Sequence, residues 1–347
     1  MTYEQIELLA SQGAFRPRQH FSQLAADHVP FDELTGRPKF ETRALQAVTA
    51  DDTAVGVLGP RGAGKSSLIS YVCAQLPDTH VALRVPVTGA DDPTDVSTLA
   101  AVALGQALDD LDLERYQREA LERARADQAT VERTPGGVRG GTLGGGPIPA
   151  ELHAELGTLR EQLTTGRLAS DRLAGLDRLI TILVARDLQP VFVLEDTEAA
   201  VGGADRTEVA AAFMSGPLHA FVHELAAPCL IAVQTAFQGS EAYRQLVASL
   251  RLVEIPALDE AHTGTGFDAI VTNRLRQYEI VEPADSFISQ EALSLLIAFY
   301  DETERNLRFT LAALQSAAEY AAEMRAARIA PGHVRAAAID WRARLAP

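Results

Sequence analysis

Short apolar runs alternate with amphipathic segments through the first two thirds of the chain, and amphipathic segments alone fill the remainder. An apolar run without polar alternation fits a strand buried on both faces. Five segments are predicted strands: Ala54 to Leu58, His80 to Val87, Val191 to Leu194, Cys229 to Gln234 and Arg251 to Ile255. Between them, Leu68, Ile69, Val72 and Leu76 mark one face of a helix, and Leu168, Leu173, Leu176, Ile180 and Leu183 mark another that should pack on the sheet. Strands alternating with helices predict an α/β fold, a parallel sheet sandwiched by helices. After Pro256 the period becomes helical throughout. The predicted helices reach about Tyr278, run from Gln290 to Tyr300 and from Glu304 to Arg325, and end with one begun by Pro331. The expected organisation is an N-terminal helical segment over 1–36, an α/β core over 37–256 and a small helical domain over 257–347.

One region interrupts the alternation. Over about 110–175, LDLERYQREALERARADQATVER has helical propensity but charge on most faces, which suits a solvated or partner-facing helix. A glycine-rich tract over 134–149, flanked by prolines, follows; the expectation there is a mobile tip between helices.

The chemistry begins in VGVLGPRGAGKSSLI, residues 55–69. The chain contains only two lysines, Lys39 and Lys65, and takes the rest of its positive charge from arginine. Lys65 stands where a compact ammonium differs from a guanidinium fork. Gly59, Gly64, Lys65 and Ser66 satisfy the spacing of a phosphate-binding loop, and the loop lies between a predicted strand and a predicted helix, the context the motif requires. The loop is Gly59, Pro60, Arg61, Gly62, Ala63, Gly64, Lys65, Ser66 and Ser67. Its backbone N–H groups and the positive end of the new helix would cradle phosphates. Lys65 would reach the β and γ phosphates of ATP, and the Ser66 hydroxyl would ligate Mg²⁺.

Further candidates follow in chain order. PVFVLEDTE places Glu195 and Asp196 directly after an apolar strand, where one carboxylate can serve Mg²⁺ and another the attacking water. Gln234 and Thr235 end the next strand and are placed to hydrogen-bond a γ-phosphate or its water. In DETERNLRFTLAAL, Arg305 and Arg308 fall in or near a helix's first turn, where the macrodipole disfavours positive charge. Either a phosphate supplies the missing anion, with Arg308 the better placed, or the arginines pair with Asp301, Glu302 or Glu304.

Composition narrows the partners. A formal charge of −16 disfavours broad electrostatic attachment to nucleic acid or an anionic membrane, so DNA is possible but unsupported by net charge. The first residues carry acid and no basic, apolar leader, and no run is long enough to span a bilayer, which together predict a cytoplasmic location. Cys73 and Cys229 lie in apolar contexts and are expected to be buried thiols.

These motifs resemble those of AAA+ ATPases, and among them the origin-recognition-like initiators. The resemblance runs from LTGRPKFETRAL (residues 34–45) through the Walker A loop GPRGAGKSS, the Walker B-like VFVLED, CLIAVQT as sensor 1, and IPALDE leading into a lid, to ERNLR as sensor 2 and IAPGHVRAA as a final lid helix. It implies that Glu195 and Asp196 divide metal organisation and water activation. Their order is reversed from the family's usual Asp-Glu, which aligns Asp196 with the catalytic position and Glu195 with the metal position. It also implies that Arg308 couples the lid to the γ-phosphate, and that an arginine from a neighbouring subunit completes the site, with Arg251 the first candidate and Arg244 the second. The expected protein is an ATP-hydrolysing switch forming a homo-oligomer or a complex with another protein. Its alternatives are a DNA-associated helper of initiator or transposition-regulator type and a small-molecule phosphotransferase. Initiators of this kind continue into a winged helix; none is expected here after the last lid helix, so the resemblance does not imply DNA binding.

Overall fold

The structure, a computed structural model, describes residues 1–17, 21–50, 54–87, 92, 94–109, 111, 156–161, 172–195, 197, 207–258 and 261–345. Most of the inserted region, including the glycine-rich tract, lies outside them, as do Leu168 and Asp196. The described residues fall into two compact units. One gathers residues 1–42, 59–68 and 255–347; the other gathers 43–58 and 69–254.

The second unit is built on five strands: β1 (Ala54–Gly59), β2 (His80–Val85), β3 (Gln189–Leu194), β4 (Cys229–Gln234) and β5 (Arg251–Glu254). Their order is β2-β3-β4-β1-β5, and the sheet is parallel. β1, β3 and β4 are apolar on both faces because each is covered on both sides, as interior strands of a parallel sheet must be. The edges behave differently: β2 alternates buried and half-buried positions, and β5 is mostly exposed.

The register explains two shifts from expectation. β3 begins at Gln189, before Pro190, because the Gln189 N–H donates to the Thr79 carbonyl at 2.7 Å and the ladder with β2 starts at the pair His80 and Gln189. β2 and β5 each end before the predicted limit, β2 at Val85 and β5 at Glu254. Helix α6 (Arg172–Val184) buries Leu176, Ile180 and Leu183, with Leu173 partly buried beside them. A helical stretch over 96–109 adds Leu99, Leu104 and Leu108 to the same core. Phe192 of β3 meets Phe221 edge to face at 5.7 Å. Both cysteines are buried thiols. Burial pushes the Cys229 thiol up to about 12, and burial together with the nearby Glu195 charge raises that of Cys73.

The first unit is helical. Its N-terminal part holds α1 (Tyr3–Ser11), α2 (Phe21–Ala26), α3 (Phe31–Thr35) and the start of α4 (Phe40–Val48). Its C-terminal part holds α10 (Thr263–Arg276), α11 (Ala284–Phe287), α12 (Gln290–Glu302), α13 (Leu307–Glu323) and α14 (Pro331–Leu345). The numbers α7 to α9 belong to Thr207–Phe213, His219–His223 and Glu241–Ala248 of the other unit. α1 opens with a capping box between Thr2 and Gln5. It docks through Gln315 of α13, which donates to the Ala10 carbonyl at 2.9 Å and accepts from the Phe15 N–H at 3.0 Å. α13 starts three residues later than the predicted Glu304. Glu304 and Arg305 both take positive φ, 55° and 60°, and a left-handed pair cannot belong to a right-handed helix. Among the described residues no helix is long and apolar enough to cross a membrane.

Candidate functional site

The glycine-rich loop read as a phosphate-binding loop occupies the turn between β1 and α5 (Lys65–Ala74). Gly62 and Gly64 take φ of +77° and +99°, which a residue with a Cβ rarely adopts. α5 then begins at Lys65, so Lys65, Ser66 and Ser67 form a first turn whose N–H groups lack helical partners and face an incoming anion. Lys65 is 7% exposed, and its ammonium donates to the Gly59 carbonyl at 3.0 Å and the Pro60 carbonyl at 2.8 Å. These bonds hold the charge over the loop. Leu68, Ile69 and Val72 bury the apolar face of α5; Leu76, expected on that face, lies past the helix end and is half-buried.

The loop touches α13. Asn306, buried at the N-cap, accepts from the Arg308 and Phe309 N–H groups at 3.1 and 3.3 Å through Oδ1. A Cβ on Gly62 would lie 2.0 Å from that same Oδ1, so only glycine fits against the cap. Arg308 follows in the first turn of α13 and is exposed, and among the described residues no carboxylate pairs with it. Arg305 differs from expectation. It precedes the helix and pairs with Asp301 at 3.4 Å, so the helix dipole does not act on it as first-turn placement implied.

The second unit carries the acids. Glu195 follows β3 directly, is buried, and forms an ion pair with Arg84 of β2. Arg84 stands opposite Val193 in the ladder, two residues before Glu195. Thr197 donates to the Ala232 carbonyl of β4 at 2.6 Å and ties the segment after β3 to the next strand. Gln234, at the end of β4, lines a small apolar cavity with Thr197, Phe213, Met214 and Phe237. Arg251 is the exposed first residue of the edge strand β5. Arg244 is paired with Glu241 at 2.7 Å on an exposed helix face.

The donor set suits the expected ligands. A glycine-rich turn feeding a helix N-terminus, with a buried lysine, suits polyphosphate. Ser66 in the first unit carries a hydroxyl and Glu195 in the second a carboxylate, each by itself a hard oxygen donor of the kind Mg²⁺ takes, and the carboxylate is paired with Arg84. Three participants escaped sequence reasoning. Asn306 was legible as a cap residue before an apolar helical run, and Arg84 as a lone charge within an apolar strand. The third, His28, carried no local signal.

No protein-family model matches the chain, and no curated protein matches it. Solved structures similar to it include the Aeropyrum pernix ORC2 protein in ADPNP–ADP complexes, with 14% identity, TM-score 0.48 and coverage of 88% of this chain and 65% of that one. The Aeropyrum pernix ORC1 protein in complex with DNA has 14% identity and TM-score 0.48, covering 92% and 66%. Cdc6p from Pyrobaculum aerophilum has 14% identity and TM-score 0.47, covering 94% and 70%. The chain thus spans 65% of the length of the first of them.

Proposed function

We propose that the chain is an ATP-binding and ATP-hydrolysing switch of AAA+ type that assembles in response to nucleotide and controls a partner protein or complex. The observation that carries the proposal is the packing of the phosphate loop at Gly62 against Asn306, the cap of α13. A phosphate that reorders the loop acts at once on the helix that presents Arg308. Binding at the loop and a change of state in α13 are therefore linked through one contact.

In this reading Lys65 exchanges its two carbonyl bonds for the β and γ phosphates. Ser66 and either Glu195 or Asp196 would be the residues to hold Mg²⁺, which would supply neutralisation of the charge that develops on the phosphates. Asp196 positions the attacking water, Gln234 orients the γ-phosphate end, and Arg308 reads the γ-phosphate from the first turn of α13. Arg251 serves a neighbouring subunit. Calorimetry with ATP tests the assignment. Lys65→Ala is expected to abolish tight binding, with little rescue by Lys65→Arg, because a guanidinium cannot replace a compact ammonium in a backbone cradle. Asp196→Asn is expected to keep binding while slowing turnover by about a hundredfold or more. Unchanged ATP affinity in Lys65→Ala would remove the nucleotide reading. Unchanged turnover in Asp196→Asn would move the catalytic role to Glu195.

A further inference from the structure

His28 lies just past α2 with its side chain 2% exposed and joins two groups that sequence order keeps far apart. Its Nδ1 is 3.1 Å from the Ser67 hydroxyl, and its Nε2 is 3.3 Å from Glu41 Oε1. Glu41 is itself fixed, since the same oxygen accepts the Phe31 N–H at the start of α3. Burial works to raise the Glu41 carboxyl, but the bonds from His28 and Phe31 outweigh it and hold the group below its ordinary range. The Phe31 ring meets the imidazole edge to face at 5.8 Å. Behind His28 the backbone is also clamped. Asp27 pairs with Arg274 of α10, and Asn273 of the same helix and Gln277 just past its end donate to the Ala26 carbonyl at 3.4 and 3.1 Å. The imidazole can therefore neither rotate nor withdraw without breaking several contacts.

An imidazole between a carboxylate and a hydroxyl has its orientation set by the acid and sets the orientation of the hydroxyl in turn. The hydroxyl here belongs to Ser67, the third residue of α5, whose N–H is among those the helix start presents to an anion. We infer that His28, oriented by Glu41, is a positioning residue of the nucleotide site: it fixes Ser67 and with it the first turn of α5 against which phosphate is held. The inference rests on the nucleotide-binding reading above. It makes the N-terminal segment an energetic part of the phosphate site, through contacts that no motif in the loop encodes.

The test exploits the difference between the two ring nitrogens. An asparagine amide ends near the position of Nδ1, and a glutamine amide ends near that of Nε2. His28→Asn can still hold Ser67 while losing Glu41; His28→Gln can still hold Glu41 while losing Ser67. Affinity for ATP is measured by calorimetry on the full chain, alongside melting temperature without nucleotide. His28→Ala and His28→Gln are expected to bind about tenfold more weakly, the scale on which loss of an orienting partner acts. His28→Asn should stay within about threefold of wild type under the same reasoning. Ser67→Ala, which also gives up the hydroxyl's 3.4 Å bond to the Leu24 carbonyl, should lose at least as much affinity as His28→Ala, and the double variant should lose no more than Ser67→Ala alone. If His28→Ala does not fold, Ser67→Ala and His28→Asn still decide the matter. Wild-type binding with equal affinity in all variants, or losses in melting temperature that rank Gln above Asn, overturns the positioning role. Failure of the wild-type chain to bind ATP would overturn the nucleotide reading, and this inference with it.

Discussion

Glu195 shows how one residue's surroundings set its cost. The strand before it is apolar on both faces, so the chain delivers a carboxylate to a place with little water, where an unpaired charge is expensive. Arg84 answers from the neighbouring strand, with its own side chain 41% exposed and that of Glu195 9% exposed. Arg84→Ala is expected to cost about 1–2 kcal/mol, below the value for a fully buried pair because the arginine is partly solvated. Removing the charge as well, in Arg84→Ala with Glu195→Gln, should recover part of that loss, since a buried amide costs less than a buried carboxylate that has lost its arginine. Urea denaturation of the two single variants and the double variant measures the coupling. Simple additivity would show that the pair contributes nothing to stability.

At the scale of elements, the start of α13 matters most. Asn306 does two jobs with one oxygen: it satisfies two helix N–H groups and it fills the space that the missing Cβ of Gly62 leaves. Asn306→Ala should cost about 1 kcal/mol through the lost cap. It should also loosen the link between loop and helix. Hydrogen exchange read at residues 308–310 is the check. Wild type should gain protection on adding a non-hydrolysable ATP analogue, and Asn306→Ala should gain much less. Equal gains would mean that the loop does not communicate through the cap. Gly62→Ala should fail more severely, because the substitution meets both Asn306 and a φ of +77°.

For the whole molecule the prediction concerns assembly. β5 closes one edge of the sheet, is four residues long and is largely exposed, with Arg251 at its start. Exposed substitutions away from special geometry rarely change stability by more than about 0.5 kcal/mol, so Arg251→Ala should fold and bind ATP normally. If Arg251 completes a neighbour's site, that variant should lose nucleotide-dependent assembly and turnover together. Sedimentation velocity with ATP and with ADP, for wild type and variant, decides it. A variant that assembles and hydrolyses as wild type does would return Arg251 to an ordinary surface role.

The amino-acid sequence by itself determined the strands, the glycine turn between β1 and α5 and the class of fold, because these depend on local period and local backbone demand. Cys229 to Gln234 reads as a buried strand from composition alone, and Gly62 and Gly64 announce a turn that other residues cannot make. It determined less about where α13 begins: acids near Glu304 imitate a helix start, whereas the left-handed pair Glu304 and Arg305 places the start at Leu307. Only the tertiary structure decided which side chains meet. Arg84 reaches Glu195 across 111 positions of sequence, Asn306 reaches Gly62, and His28 reaches Ser67 across 39. Such contacts depend on the register of a parallel sheet and on the packing of distant helices. A single sequence carries no local periodicity that records either.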